Sequence, residues 1–255
     1  MYNKPNGLDR MVYEESHMLA QNSTGTFKRY RLMGICSIVA AILLTVADYL
    51  LEFNKEYGVS STIVETAWVD MSHWRFTFSI YLCMFMIPFY LFGFYLLYIT
   101  LSKTNKTVAL VVSLMFSYGV VMGSPFIHGV MGLNAIIYRF GIQNGLTHEL
   151  LVSLIETRIT NAILPVFLFH YVITWVVAPL ILFVFVIRGK SVMRRWTAFL
   201  NPFVFLLIGM LGLKLWPQLF IYLAPGSINK GNIAMFAVSA MSMYNGDTSR
   251  MGKRT

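Results

Sequence analysis

Five stretches of the chain stay apolar for about 20 residues: 32–51, 77–100, 107–126, 162–187 and 197–216. That is the length an α-helix needs to cross a bilayer. A sixth stretch, 231–244, is shorter and carries Ser239 and Ser242; it starts as early as Phe220 if the intervening "APGSIN" interrupts it. The pattern predicts an all-α, polytopic transmembrane bundle of about six helices over 32–244. A polar tail (1–31) precedes it and a basic tail (245–255) follows it. The short connections "SKTNK" and "RGKSVMRR" make helices two and three, and four and five, antiparallel hairpins. Two longer connections, 52–76 and 127–161, remain. The second contains "ELLVSLIETRIT", whose apolar period is helical, so it is either a separate interfacial helix or an early start of helix four.

Polar positions within the apolar segments are not scattered. Gly34, Ser37, Ala41, Thr45 and Asp48 follow one another at steps of 3, 4, 4 and 3, which keeps them on one helix face. Small residues on such a face allow close helix approach in lipid. Asp48 needs a further explanation, because a carboxylate within a spanning helix costs roughly 2.5 to 3.5 kcal/mol on insertion scales unless it finds a partner. Helix three repeats the pattern with Ser113, Ser117, Ser124 and His128, beside a Gly119/Gly123 close-packing pair. His170 falls roughly 12 Å inside helix four, counted at 1.5 Å per residue. Glu156 and His170 share a face if that helix is continuous through Pro165.

Composition agrees with the pattern: 57% of residues are hydrophobic and only 12% charged. A soluble domain has about twice that charged fraction. Lysine and arginine set the orientation, since they accumulate on the cytoplasmic side. With six helices and a cytoplasmic N-terminus, most of them fall in inner segments, including Lys28, Arg29, Arg31, Lys103, Lys106, Arg188, Lys190, Arg194 and Arg195. Both termini are then cytoplasmic, and the protein is a multi-pass protein of the cell membrane. The net charge of +9 lies mostly beside membrane segments, which points to anionic lipid rather than nucleic acid. Trp74, Trp196 and Trp216 sit at predicted helix ends as interfacial anchors. Cys36 and Cys83 fall at different depths and are read as two separate thiols.

In this topology Asp48, His73, Arg75, His128, Asn134, Glu156, Arg158, Asn161, His170 and Asn229 all lie at the outer side. The set expected to line a ligand site is Asp48, His128, His170, Arg75, Glu156 and Asn161. Three readings follow. One is an outward-facing polar pocket that binds or moves a lipid or small amphiphile. Another makes an Asp48 pair with His128 or Arg75 a register device in a protein that contacts a membrane-protein partner. The third is a metal-dependent hydrolase of lipids, with Asp48, His128 and His170 as ligands around an activated water. No HExxH or other tight spacing supports a metal. The sequence leaves the cofactor unknown; a haem with His128 and His170 as axial ligands is the runner-up within the binding reading, with no attachment motif or second His pair behind it.

"VADYLLEF", "IPFYLFGFYLLY", "SPFIHG" and "LAPGSIN" together resemble a family of small six-helix bacterial membrane proteins of unknown function. The resemblance spans nearly the whole chain and implies a fold and a bacterial membrane setting, with no activity attached. Intramembrane hydrolases of the CREST type combine Ser, Asp and three His; the paired histidines they carry late in the chain are missing here.

Overall fold

The computed structural model describes the backbone of residues 7–53 and 66–251, and the side chains of 28–53, 67–159 and 161–243. Most of the expected N-terminal tail's side chains, residues 54–65 of the first long connection and the end of the basic tail lie outside the described residues. The rest is helical, with no strand among the described residues. In order come α1 (Gly7–Glu52), α2 (His73–Ser102), α3 (Lys106–Ser124), α4 (Gly132–Gln143), α5 (His148–Val152), α6 (Asn161–Tyr171), α7 (Ala178–Ile187), α8 (Pro202–Leu215), α9 (Pro217–Leu223) and α10 (Ser227–Met251). Four continuous segments are long and apolar enough to cross a membrane: Lys28–Glu52, His73–Ser102, Lys106–Gln143 and Asn161–Ile187.

The third segment runs well beyond the residue 126 expected from the apolar pattern. Pro125 has no N–H to give, yet it does not end the helix. A π-helical turn, Pro125–Met131, absorbs it and leads directly into α4. Much of the expected loop 127–161 is therefore helix. "ELLVSLIETRIT" starts as α5 and continues through a second π-turn, Ser153–Thr160, into α6, and a third, Val172–Val177, joins α6 to α7. Of the two sequence alternatives for this stretch, the structure shows the early start of predicted helix four: α6 continues back from Asn161 without a break.

α1 packs against α2 and α10, and α2 against α3. The core between them is aromatic: Phe94 stacks on Phe116 at 5.3 Å, and Phe236 of α10 meets both Tyr90 and Phe94 edge-on. Gly93 makes this possible, since a Cβ there would lie 2.4 Å from the Phe236 ring. Around the bundle, Phe85, Leu114 and Phe169 are each about three-fifths exposed. In water so many exposed apolar side chains would be a large patch. In a bilayer they face lipid tails, which accounts for them without cost.

α8 has only 14 residues because the chain reaches it along a non-helical path. After α7 a 3-10 turn, Arg195–Phe199, lies back on α7, and the Pro202 backbone is already against Gly231, only two residues beyond Asn229 in α10. Non-helical backbone at that depth must be satisfied by protein. Asn201, fully buried, does this: its Oδ1 accepts from the N–H groups of Phe203 and Val204, and its Nδ2 donates to the Ala198 carbonyl. Further on, Gly209 lies against Ser227 and Ala224, so α8 runs antiparallel to α10. α9 turns back, and the interruption anticipated at "APGSIN" is the turn Ala224–Gly226.

Candidate functional site

Four segments converge on Asp48. Its helix face, Gly34, Ser37, Ala41 and Thr45, is buried against neighbouring helices, with the Ser37 and Thr45 hydroxyls returned to carbonyls of their own helix. This removes every competing polar group from the stripe except the carboxylate. Asp48 Oδ1 lies 3.2 Å from His128 Nε2, supplied by the π-turn after α3. Asp48 Oδ2 accepts a 2.7 Å hydrogen bond from Asn229 Nδ2, in the first turns of α10. The side-chain amide oxygen of Asn229, Oδ1, in turn accepts from the Tyr90 hydroxyl of α2 at 2.5 Å.

The other side of His128 decides which ring nitrogen carries hydrogen. Ser79 has a single hydroxyl proton, and it goes to the Ala47 carbonyl at 2.8 Å. Ser79 Oγ, 2.8 Å from His128 Nδ1, can then only accept, so Nδ1 carries hydrogen. The remaining nitrogen, Nε2, faces the carboxylate. Oδ1 and Nε2 face each other at 3.2 Å, so each of these buried polar atoms has the other as its partner, which a low-dielectric interior requires.

Asp48, His128 and Ser79 are the residue types of a nucleophilic triad, but the arrangement does not attack anything. Ser79 is fully buried and its proton is committed to the backbone, so no lone pair is presented to a substrate. What the set does is tie four helical segments together through one buried polar network.

A non-helical turn closes over the carboxylate. Gly226 has a left-handed backbone, φ +67°, and a Cβ there would come within 3.0 Å of Asp48 Oδ2 and 2.8 Å of Thr45 Cγ2. Only glycine lets the chain lie this close. Lys230 fastens the turn: its ammonium donates to the carbonyls of Leu223 (2.6 Å) and Pro225 (2.9 Å) and to the Tyr49 hydroxyl (3.0 Å). The Tyr49 hydroxyl donates to the Tyr222 carbonyl at 2.5 Å, and the Lys230 ammonium also sits 4.9 Å from the centre of the Tyr49 ring.

The other expected ligands are elsewhere. Arg75 is not a partner of Asp48; its guanidinium donates to the carbonyls of Tyr49 (3.0 Å) and Phe53 (2.8 Å), capping the end of α1. His170 is buried one layer away, in a separate cluster: its Nδ1 is 3.5 Å from the Thr174 hydroxyl, and its Nε2 has no hydrogen-bond partner. It occupies the space above Gly123, while Thr174 occupies that above Gly119. The glycine pair of α3 therefore receives a polar i, i+4 pair from the segment α6–α7. Glu156 is half-buried in the second π-turn and Asn161 is exposed at the start of α6. Neither joins the Asp48 network. Among the described residues no three of His, Cys, Asp and Glu are grouped as a metal site requires.

The sequence reading missed Ser79, Tyr90 and Lys230 as members of this site. A signal for the first two existed: Ser79, Cys83, Tyr90 and Gly93 recur at helical spacing and form the buried face of α2. Nothing in the sequence marks Lys230, whose role comes from the turn it closes.

Residues 18–246 match the profile of a family of unknown function, DUF6796. The chain belongs to it. The family covers every element of the Asp48 network and the basic turn after α7. No curated protein and no solved structure matches the chain.

Proposed function

We propose that this DUF6796 member is a six-helix protein of the cell membrane, both termini cytoplasmic, that binds or moves a lipid or small amphiphile at an outward-facing polar site around Asp48. The observation that carries this reading is the Ala224–Gly226 turn seated directly on an intramembrane carboxylate. Broken helices at membrane depth characteristically build substrate sites, and ionisable residues there characteristically mark ligand paths. The arrangement is then the closed state, in which Asn229 and the glycine turn fill the place a ligand head group takes. The lysine and arginine distribution supports the orientation.

The decisive experiment is thermal unfolding of purified protein in detergent, with a panel of phospholipids and single-chain amphiphiles, for the wild type and Asp48→Asn. A compound that raises the wild-type midpoint by several degrees and leaves Asp48→Asn unmoved supports the site. Stabilisers that act equally on both proteins refute it. One observation favours a second reading, a helix lock in a protein that works through a membrane-protein partner: both Asp48 oxygens are already held by protein groups. Under that reading Asp48→Asn lowers stability and changes no ligand response.

A further inference from the structure

We infer that the connection between α7 and α8 forms a binding site for one anionic phospholipid, away from Asp48. α7 ends in a glycine-closed turn: Gly189, at φ +69°, donates to the Val186 carbonyl and Lys190 to the Phe185 carbonyl. The chain then folds back along α7, and Arg195 returns to the glycine turn, its Nε 2.9 Å from where a Gly189 Cβ would stand. Arg188, Lys190, Arg194 and Arg195 are all exposed on this short turn. Among the described residues no carboxylate pairs with any of them, and residues 188–200 contain none.

Four like charges so close together repel one another unless an anion joins them. The same segment shows what kind of anion. Val192, Trp196 and Phe199 are each about half exposed, the pattern of a segment lying at a membrane–water interface. Behind it the packing is tight: the crevice between Leu182 and Val186 of α7, Met193 and Leu200 of the connection, and Met235 and Val238 of α10 holds only about 10 Å³, so the apolar surface offered to a ligand is the outer one of Val192, Trp196 and Phe199. Val238 lies about 13 Å along α10 from Asn229, counted at 1.5 Å per residue, so this site is distinct from the Asp48 network. A soluble phosphate would meet the cations and leave the exposed apolar side chains uncovered. A phospholipid meets both, its phosphate on the arginines and its acyl chains against Val192, Trp196 and Phe199.

The test uses the whole protein in a neutral detergent, with thermal unfolding and native mass spectrometry as readouts. Dioleoyl phosphatidylglycerol is expected to raise the midpoint and remain bound. Dioleoyl phosphatidylcholine, glycerol phosphate and inorganic phosphate are expected to do neither. Each basic side chain removed is expected to weaken phosphatidylglycerol binding about fivefold, read in R194Q and in R188Q/R194Q/R195Q. R194Q alters one exposed side chain and keeps the test valid if the triple variant does not fold. Equal response to phosphatidylcholine, equal response to glycerol phosphate, or full phosphatidylglycerol binding by R194Q would each overturn the site.

Discussion

Asp48 of α1 and His128 of the π-turn after α3 approach to 3.2 Å, and Ser79, by fixing hydrogen on the far side of the imidazole, leaves Nε2 as the atom turned to the carboxylate. Removing either partner leaves the other buried with an uncompensated group. Asp48→Asn and His128→Gln are each expected to destabilise the bundle by about 3 to 5 kcal/mol, the usual cost of breaking a buried pair. The double variant should cost clearly less than the sum of the two, since the second change removes a group already orphaned. Denaturant unfolding in mixed micelles measures the cycle, and strict additivity would show that the two residues do not act as a pair.

The glycine pair of α3 makes a second, independent test. A Cβ at Gly123 would stand 2.0 Å from His170 Nε2, and one at Gly119 would stand 1.9 Å from Thr174 Cγ2. Gly123→Ala must therefore push the His170 ring out of its place, at about 1 to 3 kcal/mol for overpacking. In a His170→Ala background the ring is absent and the same glycine change should be nearly neutral. A cost that persists there would place the conflict somewhere other than His170.

How far the sequence could be read differs between these two clusters. The inward face of α1 was legible because small and polar residues at helical spacing have one physical use in lipid, close packing, and Asp48 interrupts it. Glycines of α3 were legible for the same reason. His128 was legible as one of two partners for Asp48, Arg75 being the other; the choice between them was not, because the π-turn at Pro125–Met131 changes the angular register of His128, and no sequence period reports such a turn. For Ser79 the spacing could mark a buried face but not its role: a serine in a spanning helix usually bonds its own preceding carbonyl, whereas this one reaches Ala47 of another helix. Arg75, placed by the sequence among ligand groups, instead satisfies the carbonyls left open at the end of α1.

Gly226 carries two separable costs. A side chain in the left-handed region loses about 1 to 2 kcal/mol from backbone strain alone. An added Cβ also meets Thr45 Cγ2 at 2.8 Å. Gly226→Ala is thus expected to destabilise by more than the backbone figure, and Thr45→Ser, which removes that methyl, should recover only the excess. Recovery to wild-type stability would mean that backbone conformation contributes nothing there.

Acidification should loosen the start of α5 first. Thr147 caps this helix by accepting from the Leu150 N–H at 3.3 Å. Glu149, fully exposed, is held below the usual carboxylate range by its own backbone N–H and then by the Thr147 hydroxyl. A lowered folded-state pKa means that this contribution is present above the unfolded-state value and disappears as pH falls through the folded one. Amide exchange at Leu150 and Leu151, followed downward through the carboxylate range, should accelerate beyond its intrinsic rate in the wild type. Glu149→Gln should flatten that rise, and an unchanged profile in the variant would assign it to another group.

Lys230 holds the closing turn by three donated hydrogen bonds, so its removal bears on access to Asp48 as well as on stability. Lys230→Met keeps the length of the side chain and leaves the Leu223 and Pro225 carbonyls without their donor. Hydrogen bonds from a charged donor are worth about 1.5 to 3 kcal/mol each when formed within the protein, and part of this is recovered because the turn is only half-buried. The turn should therefore open more often while the bundle stays folded. Ala224→Cys, made in a Cys36→Ser/Cys83→Ala background, reports this through its rate of reaction with a water-soluble maleimide. Labelling should be several-fold faster with Lys230→Met than without it, and slower again with Lys230→Arg, which restores a cation to the same carbonyls. Equal rates in all three proteins would show that Lys230 does not control the turn, and that the contacts of Gly226 with α1 hold it closed unaided.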